Sequence, residues 1–296
     1  MKTVLITGAN GFVSWYLIRD LLKKDYKIIA TGKGASRLSF NDSKLIYETL
    51  DFTNAQDVKV VFDKYQPDIA VHTGALSKPD ECELNQETAF LINVQGTKNL
   101  LAAAADCKSY FLFVSTDFVF EGKSLQYKET DVLNPVNYYG QTKMLAEAAV
   151  QRYMFLWSIV RPILVYGKPL SGRQNILTNV ANALHKGEPL KIFTDQTRMP
   201  TYVEDLASAL TTMIERQSTG IFHISGQDVI TPHQMACAVA THLGYNKKAI
   251  EEVTADVFKQ PAARPPITGF DLTKATTELQ YQPTPFAEGL KKTFAI

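Results

Sequence analysis

A glycine-rich turn between an apolar segment and an amphipathic segment constrains the fold of this chain most strongly. Residues 3–7 have the apolar character of a buried strand, and residues 12–23 have the periodicity of a helix. Between them, Gly8 permits a tight turn and Gly11 lets the backbone approach a bound group closely. The helix N-terminus that follows favours an anion such as a pyrophosphate. The turn therefore predicts a dinucleotide-binding unit, although Ser14 stands at the third position, where such turns usually have glycine.

Strand and helix patterns continue to alternate through the first half of the chain. Further strands are predicted at 26–31, at 69–73 (the third strand), at 110–115 and at 157–160, with helices at 57–65, 87–105 and 139–153. Short connections between such segments give an α/β fold with a parallel, doubly wound Rossmann sheet. Prolines break up the last third of the chain, which we predict to be a smaller C-terminal substrate-binding lobe. We place the dinucleotide-binding domain at 1–165, with segments at about 192–230 returning to it, and the lobe mainly at 166–296.

The segment after the second predicted strand bears on which dinucleotide binds. NAD-binding proteins usually have an acid there to hold the ribose 2′-hydroxyl, but residues 31–37 read TGKGASR and contain none. Lys33 and Arg37 can neutralise a 2′-phosphate, so the pattern favours NADP(H) over NAD(H), with a solvated basic turn as the alternative. The other predicted cofactor-binding residues lie in the glycine turn and after later strands: Asn10, Phe12, Val13, Asp51, Phe52, Gly74, Ala75 and Leu76.

A tyrosine and a lysine four residues apart open one of the predicted helices. Tyr139 and Lys143 share a face of that helix, because residues i and i+4 lie one turn apart. A phenol with an ordinary pKa of about 10 becomes a usable acid or base when a nearby ammonium favours the phenolate. The strand 110–115 ends beside Thr116, whose hydroxyl can hydrogen-bond the substrate oxygen that Tyr139 protonates. Thr116, Tyr139 and Lys143 are therefore the candidate catalytic residues, with a strand-end cap as the alternative role for Thr116.

Composition argues against several classes of partner. Lys and Arg number 31 and Asp and Glu 30, a balance that provides no field to attract nucleic acid or an anionic membrane. No apolar run approaches the roughly 20 residues that span a bilayer, and the first residues do not resemble a signal peptide. Cys82, Cys107 and Cys237 are far apart and lack zinc-binding spacing. We expect a cytoplasmic protein with reduced thiols and no bound metal.

Seven motifs that follow one another along the chain carry a resemblance to a known family. They are TGANGF (7–12), PDIAVHTGAL (67–76), VSTDFVFEG (114–122), YYGQTKMLAE (138–147), RPILVYG (161–167), PTYVEDLA (200–207) and RPPITGFDLTKA (264–275). With them the chain resembles the extended short-chain dehydrogenase/reductase family, above all the dTDP-4-dehydrorhamnose reductases. The resemblance implies that Tyr139 is the general acid, that Lys143 binds the nicotinamide ribose and that Thr116 is the third catalytic residue. Asn93 resembles the helix asparagine of that family, with helix packing as an equal alternative.

The resemblance also implies a substrate class. Related 4,6-dehydratases carry Asp-Glu after the catalytic threonine, whereas Asp117-Phe118 here resembles the reductase branch. We expect an NADPH-dependent reductase of a nucleotide-linked 4-keto-6-deoxy sugar, and by analogy a homodimer. An epimerase, another carbonyl reductase and a non-catalytic NADP-binding regulatory subunit, like the β subunits of methionine adenosyltransferase, are the alternatives. The expected substrate-binding residues are Ser115, Asp117, Phe118, Arg198 and Arg264, with Arg173 as a further candidate and Thr201, Tyr202 and Asp205 holding the lobe near the sugar.

Overall fold

The computed structural model describes residues 1–171 and 174–295, and its largest element is a parallel sheet of seven strands. The strands in chain order are β1 (Lys2–Thr7), β2 (Tyr26–Gly32), β3 (Leu45–Thr49), β4 (Ile69–His72), β5 (Tyr110–Val114), β6 (Lys123–Tyr127), β7 (Trp157–Pro162), β8 (Leu190–Phe193), β9 (Thr197–Arg198), β10 (Gly220–Ile224), β11 (Ile250–Val253) and β12 (Ile267–Phe270). The large sheet has the order β10-β7-β5-β4-β1-β2-β3. The predicted α/β Rossmann fold is confirmed.

Helices cover both faces of the sheet. They are α1 (Phe12–Leu22), α2 (Ala55–Tyr65), α3 (Pro79–Leu84), α4 (Gln86–Phe90), α5 (Gly96–Asp106), α6 (Tyr138–Val150), α7 (Ile176–His185), α8 (Val203–Arg216), α9 (Pro232–Leu243), α10 (Thr273–Leu279) and α11 (Phe286–Phe294). Val4 and Ile6 of β1 belong to one apolar cluster with α1 and α8, whereas Leu5 between them belongs to another with α2, α5 and α6. Successive side chains of a strand point to opposite faces, so a strand covered on both sides is apolar throughout.

Two elements differ from those predicted. The strand β3 was not predicted, so the segment at 69–73 contains the fourth strand and not the third. All five residues of β3 are at least partly exposed, because it is the edge strand of the sheet and carries only half of the apolar pattern of a central strand. The helix predicted at 87–105 is present as a continuous helical segment over residues 86–106, but its middle turn, Leu91–Gln95, is π-helical and separates α4 from α5.

The remaining strands form two small sheets, and a lobe cluster of apolar residues joins helices of the last third of the chain to Tyr16 of α1. One sheet has the order β6-β12-β9 and the other pairs β11 with β8. Helices α7, α9 and α11 contribute to a cluster that includes Leu177, Val239 and Leu290. Strand β10 follows lobe elements in the chain but pairs with β7 at the edge of the large sheet. None of the described helices is long and apolar enough to cross a bilayer.

Candidate functional site

The glycine turn after β1 is shaped by two close approaches. Gly8 has a φ of 70°, and a Cβ on it would lie 2.8 Å from the backbone of Gly74, in the loop after β4. Ser14, at the third position of the turn, is buried, and its Oγ donates a hydrogen bond of 2.9 Å to the carbonyl of Gly8. The same Oγ lies 2.7 Å from Oγ1 of Thr73. The serine therefore bonds α1 to the turn and to the neighbouring loop, which explains how a non-glycine residue is accommodated.

The loop after β2 is held beside the glycine turn by side chains from two elements. Asn10 donates from Nδ2 to the carbonyl of Ala35 and to the hydroxyl of Tyr47, at 2.9 Å each. Its Oδ1 accepts from the backbone N–H of Arg37 at 2.8 Å. Tyr47 in turn donates to the carbonyl of Gly34 at 3.0 Å. Sequence reasoning missed Tyr47, since it lies in the unpredicted edge strand and no local spacing connects it to the turn.

The two predicted 2′-phosphate ligands are placed differently. The side chain of Lys33 is 84% exposed, with Nζ 2.9 Å from a carboxylate oxygen of Asp51. Hydrogen bonds from Thr53, followed by that from Lys33, lower the pKa of Asp51 to about 2. Arg37 donates from Nη2 to the carbonyl of Asn10 at 3.1 Å, so its guanidinium lies over the glycine turn. The recognition of a 2′-phosphate by Lys33 and Arg37 stays a prediction, as does the binding of the cofactor by Asp51.

The floor of the candidate cofactor site is close-packed. A Cβ on Gly74 would lie 2.7 Å from the ring of Phe52, and one on Gly96 would lie 2.5 Å from it, so the ring lies between two glycines. Asn93, in the π-helical turn, donates to the carbonyl of Leu76 at 3.0 Å and accepts from its N–H at 2.8 Å. These bonds fix the loop after β4, and π-helical turns often occur at such sites. Ala75 in this loop is partly exposed, as are Phe12 and Val13 at the start of α1.

Helix α6 approaches the end of β5 closely at its first turn. Asn137 caps the helix by accepting from the N–H of Gly140 at 2.9 Å. A Cβ on Gly140 would lie 2.1 Å from the carbonyl of Phe118, so only glycine allows this approach. Tyr139 is buried, and its ring meets that of Phe118 edge-on at 5.8 Å between centroids.

Lys143 is 2% exposed and lies one helical turn after Tyr139. Its Nζ donates to the carbonyl of Val114 at 2.8 Å and lies 3.9 Å from the centroid of the Phe113 ring. Burial lowers the pKa of Lys143 from 10.5 to about 7, and the negative charge of Glu147 opposes that change. Burial therefore disfavours the charged form of this predicted catalytic lysine.

Thr116 and Asp117 follow β5 and connect it to the lobe. Thr116 accepts from the N–H of Phe118 at 3.2 Å and donates to Asp117 at 3.2 Å. The other carboxylate oxygen of Asp117 accepts from the hydroxyl of Thr268, in β12, at 2.8 Å. Burial raises the pKa of Asp117, and the charge of Arg198 opposes it. The threonine thus has the strand-end capping role that the sequence left open, and its catalytic role stays a prediction.

A buried polar network lies behind the catalytic candidates. Ser115 donates to Glu147, whose carboxylate accepts from Nε of Arg161 at 3.0 Å and from Nη2 at 2.6 Å. Arg161 also donates from Nη1 to Nε2 of His223 at 3.2 Å, and burial lowers the pKa of this histidine well below its usual value. The hydroxyl of Ser115, expected to bind substrate, is thus bonded within the protein. Sequence reasoning missed Glu147, although a charged residue one turn after Lys143 in an otherwise apolar stretch is a usable signal.

Arg198 and Arg264, which were expected to bind the substrate, have partners within the protein. Arg264 donates from Nη2 to Asp80 at 2.7 Å, which joins the loop before β12 to α3. Arg198 is 4% exposed and donates to carbonyl oxygens that include that of Pro266, at 3.0 Å. Arg173 lies outside the described residues. Substrate binding by Arg198 and Arg264 stays a prediction. Each arginine would have to exchange one of these hydrogen bonds for one to the substrate, or donate from an N–H group that these bonds leave available.

The residues of PTYVEDLA bond the lobe to the large sheet and to the C-terminal segment. Thr201 donates to the carbonyl of Ile163 and accepts from its N–H at 3.1 Å. Asp205 accepts from the N–H of Thr284 at 2.7 Å and from its hydroxyl at 2.8 Å. Tyr202 is buried in the lobe cluster. Their predicted influence on the sugar is therefore at most indirect, through the placement of the lobe.

Comparison with known proteins gives matches along nearly the whole chain. The family model described as the RmlD substrate binding domain matches residues 1–296. The methionine adenosyltransferase 2 subunit beta of Xenopus tropicalis is 29% identical over 299 residues, covering 98% of this chain and 86% of that protein. The spore coat polysaccharide biosynthesis protein SpsK of Bacillus subtilis is 30% identical over 266 residues, covering 90% of this chain and 87% of that protein. The solved structure of a dTDP-4-dehydrorhamnose reductase from Bacillus anthracis in complex with NADP has a TM-score of 0.86 at 28% identity, and 99% of each chain is covered.

Proposed function

Since this chain belongs to the RmlD substrate-binding-domain family, within the extended short-chain dehydrogenases/reductases, we propose that it is an NADPH-dependent reductase of a nucleotide-linked 4-keto-6-deoxy sugar. The observation that carries this proposal is the arrangement at the end of β5. There Lys143 is buried one turn after Tyr139, and Thr116 lies at the end of the strand that Lys143 bonds. A general acid beside a buried cation and a hydroxyl donor is the machinery that carbonyl reduction requires.

The shape of the glycine turn fits a dinucleotide. A Cβ on Gly8 would fill the space beside Gly74, and the N-cap of α1, Gly11, has no side chain that caps the helix amides. These amides are available to a pyrophosphate, and Lys33 is exposed beside the turn for a 2′-phosphate. When bound, NADPH would supply a hydride. The complex of the Bacillus anthracis relative with NADP supports this choice of cofactor.

The residues of this chain would supply the proton and hold the substrate. Tyr139 would give its hydroxyl proton to the C4 oxygen of the sugar, while Lys143 stabilises the phenolate that remains. Thr116 would donate a hydrogen bond to the same oxygen. Asp117 does not offer a carboxylate for the elimination of water, because it is buried and bonded to Thr268, and Phe118 follows it in place of a glutamate. This set of residues favours a reductase over a dehydratase.

A second candidate function is that of a non-catalytic dinucleotide-binding subunit. The similarity to the methionine adenosyltransferase subunit beta favours it, because that match covers 98% of this chain. The two candidates differ in one measurable property, which is turnover. A binding subunit holds the cofactor without consuming it, whereas a reductase oxidises NADPH when a suitable sugar is added.

The proposal is tested by titrating the protein with NADPH and NADH and then adding dTDP-4-keto-6-deoxy sugars. We expect NADPH consumption that falls by about 10²–10⁴-fold in Tyr139→Phe, with NADPH affinity nearly unchanged. Tyr138→Phe is the matched control, since Tyr138 is adjacent in the chain but is five residues from Lys143 and faces elsewhere. NADPH binding without consumption of any such sugar would favour the binding subunit. Equal turnover in the two variants would remove Tyr139 from the mechanism.

A further inference from the structure

A buried ion pair lies next to the candidate catalytic residues, one helical turn after Lys143 on α6. Among the described residues, Arg161 and Glu147 form the one ion pair in which both side chains are at most 1% exposed. Two bonds of Arg161, from Nε at 3.0 Å and from Nη2 at 2.6 Å, give the pair a fixed geometry. Apolar residues of similar volume often stabilise a fold as well as such a pair does. Stability alone therefore does not explain why charges occupy this place.

Glu147 joins three elements that meet at the candidate site. It lies on α6, it accepts from Ser115 directly after β5, and it pairs with Arg161 of β7. Lys143, one turn earlier on the same face of α6, donates to Val114. The helix is thus bonded to two consecutive residues at the end of β5, immediately before Thr116.

We propose that Glu147 is a positioning residue of the candidate site, which fixes α6 against the end of β5 through Ser115 and Arg161 and places a negative charge behind Lys143. The helix cannot slide or rotate without breaking the bonds at Val114 and Ser115 together. Lys143 and Thr116, which lie on different elements, consequently keep a constant separation. The inference rests on the proposed function for the roles of these two residues, but not for the bonds that connect them.

The charge of Glu147 acts on the protonation of Lys143. Burial lowers the pKa of Lys143, and Glu147 is the group that opposes this change most strongly. The other titratable groups near the ammonium are Cys82 on α3, His72 on β4 and Tyr139 on α6. Burial keeps His72 neutral and Cys82 protonated near neutral pH, so neither replaces the carboxylate. Removal of the carboxylate should therefore move the titration of Lys143 to lower pH.

The titration of Lys143 can be followed without any substrate, by NMR of the protein labelled with ¹⁵N at lysine Nζ. The resonance is assigned by its absence in Lys143→Met. We expect Glu147→Gln to move the midpoint to lower pH and to reduce NADPH-dependent turnover near pH 7 by about 10²-fold. Tyr110→Phe is the control, because it removes buried hydrogen bonds from the opposite end of β5. It should leave the midpoint unchanged.

Glu147→Gln leaves Arg161 buried without its charged partner, and a double variant avoids this effect. In Glu147→Leu/Arg161→Met both charges are replaced by apolar side chains, so we expect a folded protein in which the midpoint is lowered and turnover is lost. A folded double variant with the wild-type midpoint and wild-type turnover would overturn the proposal, as would the same result for Glu147→Gln. If wild type turns over no sugar while the midpoint still moves, the proposed function fails and the connection between Glu147 and Lys143 stands.

Discussion

Cations lie at both ends of the candidate site, but their surroundings are opposite. Lys33 is 84% exposed at the loop after β2 and pairs directly with Asp51 at the surface. Lys143 is 2% exposed at the end of β5, bonded to a carbonyl and backed by a buried carboxylate. An exposed pair is screened by solvent and contributes little to stability, whereas a buried charge changes pKa values and depends on its partners.

The contrast shows which properties of the site depend on the fold and which depend on a few surface residues. The proton-transfer end is fixed by burial, close packing at Gly140 and the pair of Glu147 with Arg161. The proposed 2′-phosphate end is held by hydrogen bonds of Asn10 and Tyr47 to the loop after β2. Substitutions at the first end should therefore change chemistry and stability together, and those at the second should change cofactor preference alone.

Lys143→Met, at the buried end, should have the largest effect. It should reduce turnover but increase stability. Turnover should fall by about 10²–10⁴-fold. Burial holds the pKa of Lys143 at about 7 in the folded chain, whereas the pKa is 10.5 in the unfolded chain. The buried charge therefore destabilises the fold fully below about pH 7, and this destabilisation disappears as the pH rises towards 10.5. The variant should unfold at a higher denaturant concentration than wild type at about pH 6, with a smaller difference at about pH 9. Lys33→Met, as an exposed control, should show no such pH dependence.

Thr116→Val tests whether the hydroxyl at the end of β5 acts on the substrate or only caps the strand. Loss of a donor to the developing oxyanion should reduce turnover by about 10²–10³-fold, with NADPH affinity unchanged. Loss of the cap at Phe118 alone should lower the free energy of unfolding by about 1 kcal/mol. Steady-state kinetics and denaturation of the same sample separate the two effects. A destabilised variant with wild-type turnover would leave only the structural role.

Lys33→Ala tests the exposed end. The variant loses a charge-assisted contact with the 2′-phosphate, so NADPH affinity should fall by about tenfold while NADH affinity is unchanged. Fluorescence titration with both dinucleotides measures the ratio. Lys27→Ala, on the same strand and remote from the loop, is a matched control. An unchanged ratio of the two affinities would remove the reason for preferring NADP(H).

Ser14→Ala should have the smallest effect and lies between the two ends. The substitution removes the bond to the carbonyl of Gly8 and the contact with Thr73, which should lower the free energy of unfolding by about 1 kcal/mol. Cofactor affinity should decrease only slightly, because Gly8 and Gly11 retain their conformations. Denaturation with and without NADPH measures both quantities. A loss of affinity as large as that of Lys33→Ala would show that the serine shapes the phosphate site itself.

The sequence predicted the elements that are repetitive and apolar, together with the residues that local spacing connects. The alternation that gives β1, α1, β4, β5 and α6 is visible because each strand is covered on both faces. The edge strand β3 was missed because half of its pattern is polar, and no local pattern distinguishes the π-helical turn from the α-helix around it.

Long-range partners explain the rest of what the sequence could not predict. Tyr139 and Lys143 were predicted as a pair because they lie four positions apart on one helix. The pairing of Arg264 with Asp80 joins residues 184 positions apart, and that of Arg161 with Glu147 joins β7 to α6. No spacing rule relates such positions. The surroundings of a charge were therefore beyond prediction even where its position in a motif was clear.

Transfer of deuterium from NADPH deuterated at both C4 positions tests the proposed reduction most directly. A dTDP-4-keto-6-deoxy sugar is incubated with the protein and this cofactor, and the deuterium content of the recovered sugar is measured by mass spectrometry. We expect one deuterium at C4 of the sugar with wild type and almost none with Tyr139→Phe. A sugar recovered without deuterium from wild type that binds NADPH tightly would contradict the reductase function and favour a dinucleotide-binding subunit.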